Sequence, residues 1–241
     1  MGLQALIWDV DGTLAETEDA GHRVAFNLAF EEAGLTWRWD SDTYRELLSV
    51  TGGKERLLAW WRRIDPHGAT SPGAPAKVRQ LHERKTAHYL TLLDRGALRL
   101  RPGVERLLLE AGDRGLKQAI ATTTTAENVL RLLDVTLGRG AATLFDVIGA
   151  GDVVAAKKPA PDIYRWVLAR LQLPAAACLA IEDSAPGIAA AQAAGVPVLR
   201  VRSRGTRPLP AGGCVDDLPS LDGVTLADLR RRFELARAGR E

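Results

Sequence analysis

LQALIWDVDGTLAET, residues 3–17, sets an apolar-dominated run, Leu3–Trp8, directly ahead of Asp9 and Asp11 and then breaks at Asp11-Gly12. Such a run ending in Asp-Gly reads as a buried strand that closes in a turn. A carboxylate fixed where a buried strand ends can attack phosphorus, and a second one two residues on can serve as acid and base. Taken alone, the stretch is equally a strand capped by one solvated aspartate. What lies downstream decides between the two.

Three further strand ends carry matching chemistry. The strand Gln118–Ala121 runs into Thr122, Thr123, Thr124 and Thr125, whose hydroxyls and free amides suit a phosphoryl oxygen. Lys158 stands beside Pro159 and Pro161 in AAKKPAPDIY, where the prolines hold it in a turn ahead of a helix. In IEDSAPGI the strand Cys178–Ile181 ends in Glu182-Asp183. Paired acids next to the first pair make an oxygen-only site of the kind Mg²⁺ prefers. Each piece has a plainer reading, as polar loop, turn or N-cap. Four of them at successive strand ends, in this order, point to one site.

From Leu98 onward strands and helices alternate, which predicts an α/β fold with a doubly wound, Rossmann-like parallel sheet and ligands at the carboxyl ends of its strands. The expected elements are helix 102–114, strand 118–121, helix 126–135, strand 145–149, helix 161–171, strand 178–181, helix 186–194 and strand 197–201. A loop over 203–223 with a short edge strand near Cys214-Val215 follows, then a closing helix from Leu226. Residues 16–94 differ. Helical periodicity predicts helices 17–33, 42–49, 54–63 and 76–93, with a proline-broken loop over 65–75. This is an α-helical insertion, so the expected domains are 1–15 with 95–241 and 16–94. Four of the six tryptophans, Trp37, Trp39, Trp60 and Trp61, fall in the insertion and are expected to fill its core.

The insertion carries a second anion signal. In VTGGKER two glycines expose amides ahead of a helix, and Lys54 and Arg56 add charge. His82, Arg84 and Lys85 share one helical stretch, as do Glu18, His22 and Arg23; a hinge and solvated helix faces are the competing readings.

With 32 basic and 30 acidic residues among 241, the chain has no general field for nucleic acid or anionic lipid. No run of eighteen apolar residues occurs, and MGLQALIWDV lacks a basic leader segment, so a cytoplasmic enzyme is expected. Cys178 and Cys214 are isolated and expected to be reduced thiols.

The four strand-end motifs resemble those of the haloacid dehalogenase superfamily of aspartate-nucleophile phosphatases and mutases, over residues 1–15 and about 95–205. Trp8 departs from the phenylalanine usual before the nucleophile, which bears on packing and not on chemistry. ETEDAGHRVAFN, TGGKER, HERKT and ATTTTAEN further resemble the CbbY subgroup, associated with carbon-fixation operons and with dephosphorylation of xylulose 1,5-bisphosphate, a misfire inhibitor of Rubisco. That resemblance implies a helical cap that selects the substrate. It implies Asp9 as nucleophile, Asp11 as proton donor and acceptor, and Thr122, Thr123, Asn128 and Lys158 around the reacting phosphate. For the metal it implies Mg²⁺ on Asp9, Asp183 and the Asp11 carbonyl, with Glu182 in support. Glu18, Thr51, Gly52, Gly53, Lys54, His82, Arg84 and Lys85 would hold the sugar and a distal phosphate. Nothing carries over to residues 203–210. The implied partner is a small phosphosugar met by a monomer, with neither nucleic acid nor membrane involved. A phosphomutase of the beta-phosphoglucomutase type, a phosphoglycolate phosphatase and, from another class, a signalling receiver domain are the alternatives.

Overall fold

The computed structural model describes residues 2–204 and 212–238. The chain divides into two compact units, residues 1–16 with 99–241 and residues 17–98. Strand β1, Ala5–Trp8, is followed by the helical unit. This begins with one π-helical stretch, Glu18–Arg23, that passes directly into α1, Val24–Glu32, so the single helix expected over 17–33 has a widened first turn. Helices α2, Ser41–Leu47, and α3, Gly53–Ile64, come next. The expected loop 65–75 instead contains the short helix α4, Pro66–Ala69. Pro66 starts it, since a proline at the first helical position loses no hydrogen bond, and Asp65 caps it by accepting from the Gly68 amide at 2.9 Å. The long α5, Ala74–Asp94, completes the unit.

Aromatic side chains make this unit's core. Trp39 is fully buried, with ring centroids 4.7 Å from Phe26, 5.0 Å from Phe30, 5.8 Å from Tyr44 and 6.1 Å from Trp60. Asn27 fastens its backbone from both sides, accepting from the Trp39 amide and donating to the Trp39 carbonyl, each at 2.8 Å. Trp39→Ala is expected to cost the helical unit about 3–5 kcal/mol, read as an earlier urea transition of that unit.

The other unit is a six-stranded sheet in the order β3-β2-β1-β4-β5-β6, every pairing parallel. Its elements are α6, Val104–Asp113; β2, Lys117–Ala121; α7, Ala126–Leu137; β3, Val147–Gly149; α8, Asp162–Leu171; β4, Cys178–Glu182; α9, Ala185–Ala193; β5, Val198–Val201; β6, Asp216–Leu218; and α10, Leu226–Ala238. Alternate residues of each strand face opposite layers. On one face Ala5, Ala119, Ala121 and Ala180 are small enough to let α8 and α9 press close, burying Ile163, Tyr164, Val167, Ala190 and Ala191. On the other face Leu6, Ile120 and Ile181 alternate with them, and Trp8 is fully buried, so its bulk is absorbed within the core.

The edge strand expected near Cys214-Val215 runs over Asp216–Leu218, and the Val215 amide just ahead of it already donates to the Val198 carbonyl at 2.7 Å. Asp217 faces the buried Arg200 at 3.4 Å across the β5–β6 pair and Arg202, just past β5, at 3.1 Å. Part of the expected 203–223 loop, residues 205–211, lies outside the described residues.

Candidate active site

Register brings the site together. Trp8 pairs with Ile120 on one side and Ile181 on the other, so the three strands end within one residue of one another. The residues that follow, Asp9, Thr122 and Asp183, therefore emerge side by side with Glu182, the last residue of β4. The Asp9 amide continues the ladder onto the Ile181 carbonyl at 3.1 Å, and the Thr122 amide onto Gly149 at 2.9 Å. Strand order reverses at β1, the topological position where open parallel sheets bind ligands.

Lys158, next to a cis Lys158-Pro159 bond, reaches Asp9 Oδ1 and Glu182 Oε1, both at 2.6 Å. Tyr164 donates its hydroxyl to the same Glu182 Oε1 at 2.5 Å, while Glu182 Oε2 has no hydrogen-bond partner among the described residues. Ser203 donates to Asp183 Oδ2 at 2.6 Å. Glycine is required at two places. A side chain at Gly12, whose φ is 85°, or at Gly187 would run into the carboxylates of Asp183 and Glu182 respectively. Ser184 begins α9 by accepting from the Gly187 amide at 3.2 Å, which turns the chain away from the acids at once.

Ligand atoms of Asp9, Glu182 and Asp183 lie within 4.8 Å of one another, and all three residues are buried. Burial first, then the neighbouring charges of Glu182 and Asp183, push the Asp9 carboxyl well above its ordinary range, and Lys158 offsets only part of that. Burial opposes the charge of Lys158 itself, yet Asp9 and Glu182 outweigh it and hold the ammonium protonated. Three buried carboxylates against one ammonium, with a buried carboxylate oxygen left over, is a donor set that fits a divalent oxygen-loving cation. The Asp11 side chain is half-buried and stands outside that carboxylate cluster.

The threonine turn is also built locally. Thr122 is buried, and its Oγ1 accepts from the Thr124 amide at 3.2 Å. Thr125 caps α7, and the buried Asn128 donates from Nδ2 to Thr124 Oγ1 at 3.2 Å. Asn128 thus braces the turn from behind, and Thr123 is half-buried beside it.

Within the helical unit the expected groups separate into two sets and one outlier. Glu18 Oε2 accepts from the Tyr44 hydroxyl at 2.6 Å, and Arg56 Nη1 meets that hydroxyl at 2.9 Å. Arg56 Nε also reaches the Leu47 and Val50 carbonyls at 3.2 and 3.3 Å, which fastens the loop carrying Thr51, Gly52, Gly53 and Lys54. Lys85, buried, donates to His22 Nδ1 at 2.8 Å, His22 stacks on Tyr89 at 4.2 Å, and the His82 ring lies against Gly53. Arg84 is the outlier. It points to Glu32, 3.7 Å away, because two positions along a helix turn a side chain to another face.

Tyr44, Tyr164 and Ser203 join these groups without a signal in the sequence that marks them. Tyr164 shares the apolar face of α8 with Ile163 and Val167, so its pattern reads as core.

The sequence profile of the haloacid dehalogenase-like hydrolases matches residues 3–195. The CbbY protein of Cupriavidus necator is 51% identical over 197 residues, covering 82% of this chain and 77% of that protein. The CbbY protein of Rhodobacter capsulatus is 49% identical over 207 residues, covering 86% and 88%. Crystal structures of CbbY from Rhodobacter sphaeroides, one with phosphate and one of a variant with xylulose 1,5-bisphosphate, superpose with a TM-score of 0.85 at 42% identity, over 94% of this chain and 99% of theirs. The chain therefore belongs to the haloacid dehalogenase-like hydrolases, beside the CbbY proteins, and is an enzyme of their phosphatase class.

Proposed function

We propose that the protein is a Mg²⁺-dependent sugar bisphosphate phosphatase that works through an aspartyl-phosphate on Asp9, with xylulose 1,5-bisphosphate as substrate. The observation that carries the reading is the buried Asp9–Lys158–Glu182–Asp183 constellation at the strand ends. The substrate is supported by the xylulose 1,5-bisphosphate complex of the 42% identical CbbY.

Asp9 attacks phosphorus in line, opposite the ester oxygen. Lys158, held between Asp9 and Glu182, places its positive charge at the oxygens of the transferring group. Asp11 protonates the departing alkoxide, then, ionised, takes a proton from the water that frees Asp9. Thr122, with the amides of the threonine turn, orients the reacting phosphate, and Asn128 holds that turn in shape. Mg²⁺, held by Asp9, Asp183 and the Asp11 carbonyl with Glu182 in support, would supply further positive charge for the phosphoryl oxygens. The sugar and the second phosphate are assigned to Glu18, the Thr51–Lys54 loop, His82 and Lys85, with Arg84 set apart by its place beside Glu32.

Incubation with xylulose 1,5-bisphosphate is expected to release one phosphate and leave xylulose 5-phosphate. With beta-glucose 1-phosphate, a mutase would yield an isomeric sugar phosphate instead of free phosphate. Release of phosphate from phosphoglycolate at a higher kcat/KM than from the bisphosphate would overturn the substrate assignment. Lys54→Ala or Lys85→Ala should lower kcat/KM for the bisphosphate roughly ten- to a hundredfold, as befits loss of a charge-assisted contact of about 1.5–3 kcal/mol. Hydrolysis of para-nitrophenyl phosphate, which carries no second phosphate, should change by less than about threefold. Parallel losses on both substrates would mean that the lysines act through stability, which for Lys85 would follow from its buried bond to His22.

A further inference from the structure

Arg101 is used on every edge of its guanidinium. Nη1 donates to the Gly12 carbonyl, Nη2 donates to the Arg202 carbonyl, and Nε lies 3.3 Å from Glu16 Oε1. Its side chain is only 8% exposed, and its own amide donates to the Leu14 carbonyl at 2.8 Å. One side chain thus ties the turn after β1 to the segment after β5. Glu16 closes the loop from the other side, since its carboxylate accepts the Arg204 amide at 3.3 and 3.4 Å.

Both tied segments end on the acidic site. The Gly12 peptide follows Asp11 and lies so close to Asp183 that a Cβ there would collide with its carboxylate. Arg202 immediately precedes Ser203, whose hydroxyl reaches Asp183 Oδ2 at 2.6 Å. A guanidinium on the Gly12 and Arg202 carbonyls therefore sets the position of Asp183 from two directions at once: through the peptide packed on it and through the hydroxyl bonded to it. A lysine has one point charge in place of this planar fork and cannot hold all three acceptors in the same way.

We propose that Arg101 is a positioning residue for the divalent-cation site, acting on Asp183 and on the Asp11 backbone through the Gly12 carbonyl and the Ser203 segment, with Glu16 as its anchor. The proposal rests on the reading of Asp9, Asp11 and Asp183 as metal ligands. Partners one step behind the ligands orient them, and losing such a partner weakens metal affinity by about ten- to a hundredfold.

The test is Mg²⁺ binding measured by titration calorimetry without substrate, on the wild-type protein, Arg101→Ala and Ser203→Ala. The wild type is expected to bind one Mg²⁺; absence of binding there would refute the metal reading of the site and not the role of Arg101 alone. Given wild-type binding, Arg101→Ala is expected to bind about tenfold more weakly, and millimolar guanidinium, too dilute to unfold the chain, should restore part of the loss. Ser203→Ala removes one hydroxyl from an intact fold and should weaken binding several-fold in the same direction. Wild-type affinity in Arg101→Ala would overturn the proposal, as would a loss that guanidinium does not reverse. Should Arg101→Ala fail to fold, Ser203→Ala decides, and unchanged affinity there overturns it.

Discussion

Replacing Asp9 by asparagine is expected to leave the fold in place and to remove turnover, by about a million-fold if the residue behaves like other covalent nucleophiles. Asparagine keeps the shape of the side chain but cannot form the phosphoryl ester. Lys158 keeps its second partner, Glu182, at 2.6 Å, so the ammonium is not left stranded in the core. A neutral amide also removes a charge that burial first, and the neighbouring Glu182 and Asp183 next, disfavour at this position. Any drop in rate is therefore chemical and not a consequence of unfolding, which circular dichroism on the same sample would show. An Asp9→Asn protein that retained more than about one percent of the wild-type rate would exclude Asp9 as the nucleophile.

The second large effect concerns the cation. Treatment with EDTA is expected to abolish phosphate release and added Mg²⁺ to restore it. Ca²⁺ should occupy the site without supporting turnover, because its longer and looser coordination does not keep the reacting groups in line. The physical reason is the charge count. Asp9, Glu182 and Asp183 are buried within 4.8 Å of one another, and Lys158 is the ammonium set between the first two. Asp183→Ala should mimic the chelator, with Mg²⁺ no longer able to rescue. Full activity in a metal-stripped sample would exclude a cation from the reaction.

Much of the fold and the centre of the site is legible in the chain itself. Short apolar runs flanked by helices in alternation specify a parallel sheet, and a parallel sheet puts its loops at one edge. Asp9, Thr122, Lys158 and Asp183 follow strands or precede helices in ways that the local sequence signals. Contacts between distant segments carry no such signal. Ser203 lies 20 positions from Asp183, Tyr44 lies 26 from Glu18, and Arg101 lies 89 from Gly12, with nothing around any of them to mark a functional partner. Arg84 shows how a shared stretch can divide. It stands in the same basic stretch as His82 and Lys85, but the helical period turns it to Glu32. The edge strand begins one residue beyond Val215, where Asp217 meets Arg200 of β5 and Arg202 just past it, partners that the local sequence does not mark.

A covalent phosphoryl intermediate on Asp9 can be trapped in Asp11→Asn with para-nitrophenyl phosphate. The aryl leaving group departs without a proton, so the first step should survive, while the second should stall for want of a base to activate water. Rapid mixing is expected to give a burst of about one equivalent of nitrophenolate per enzyme, and acid-quenched protein should carry a phosphoryl group on the peptide that contains Asp9. A burst-free reaction whose rate falls equally on aryl and sugar esters, or a phosphoryl group located on any other residue, would contradict it.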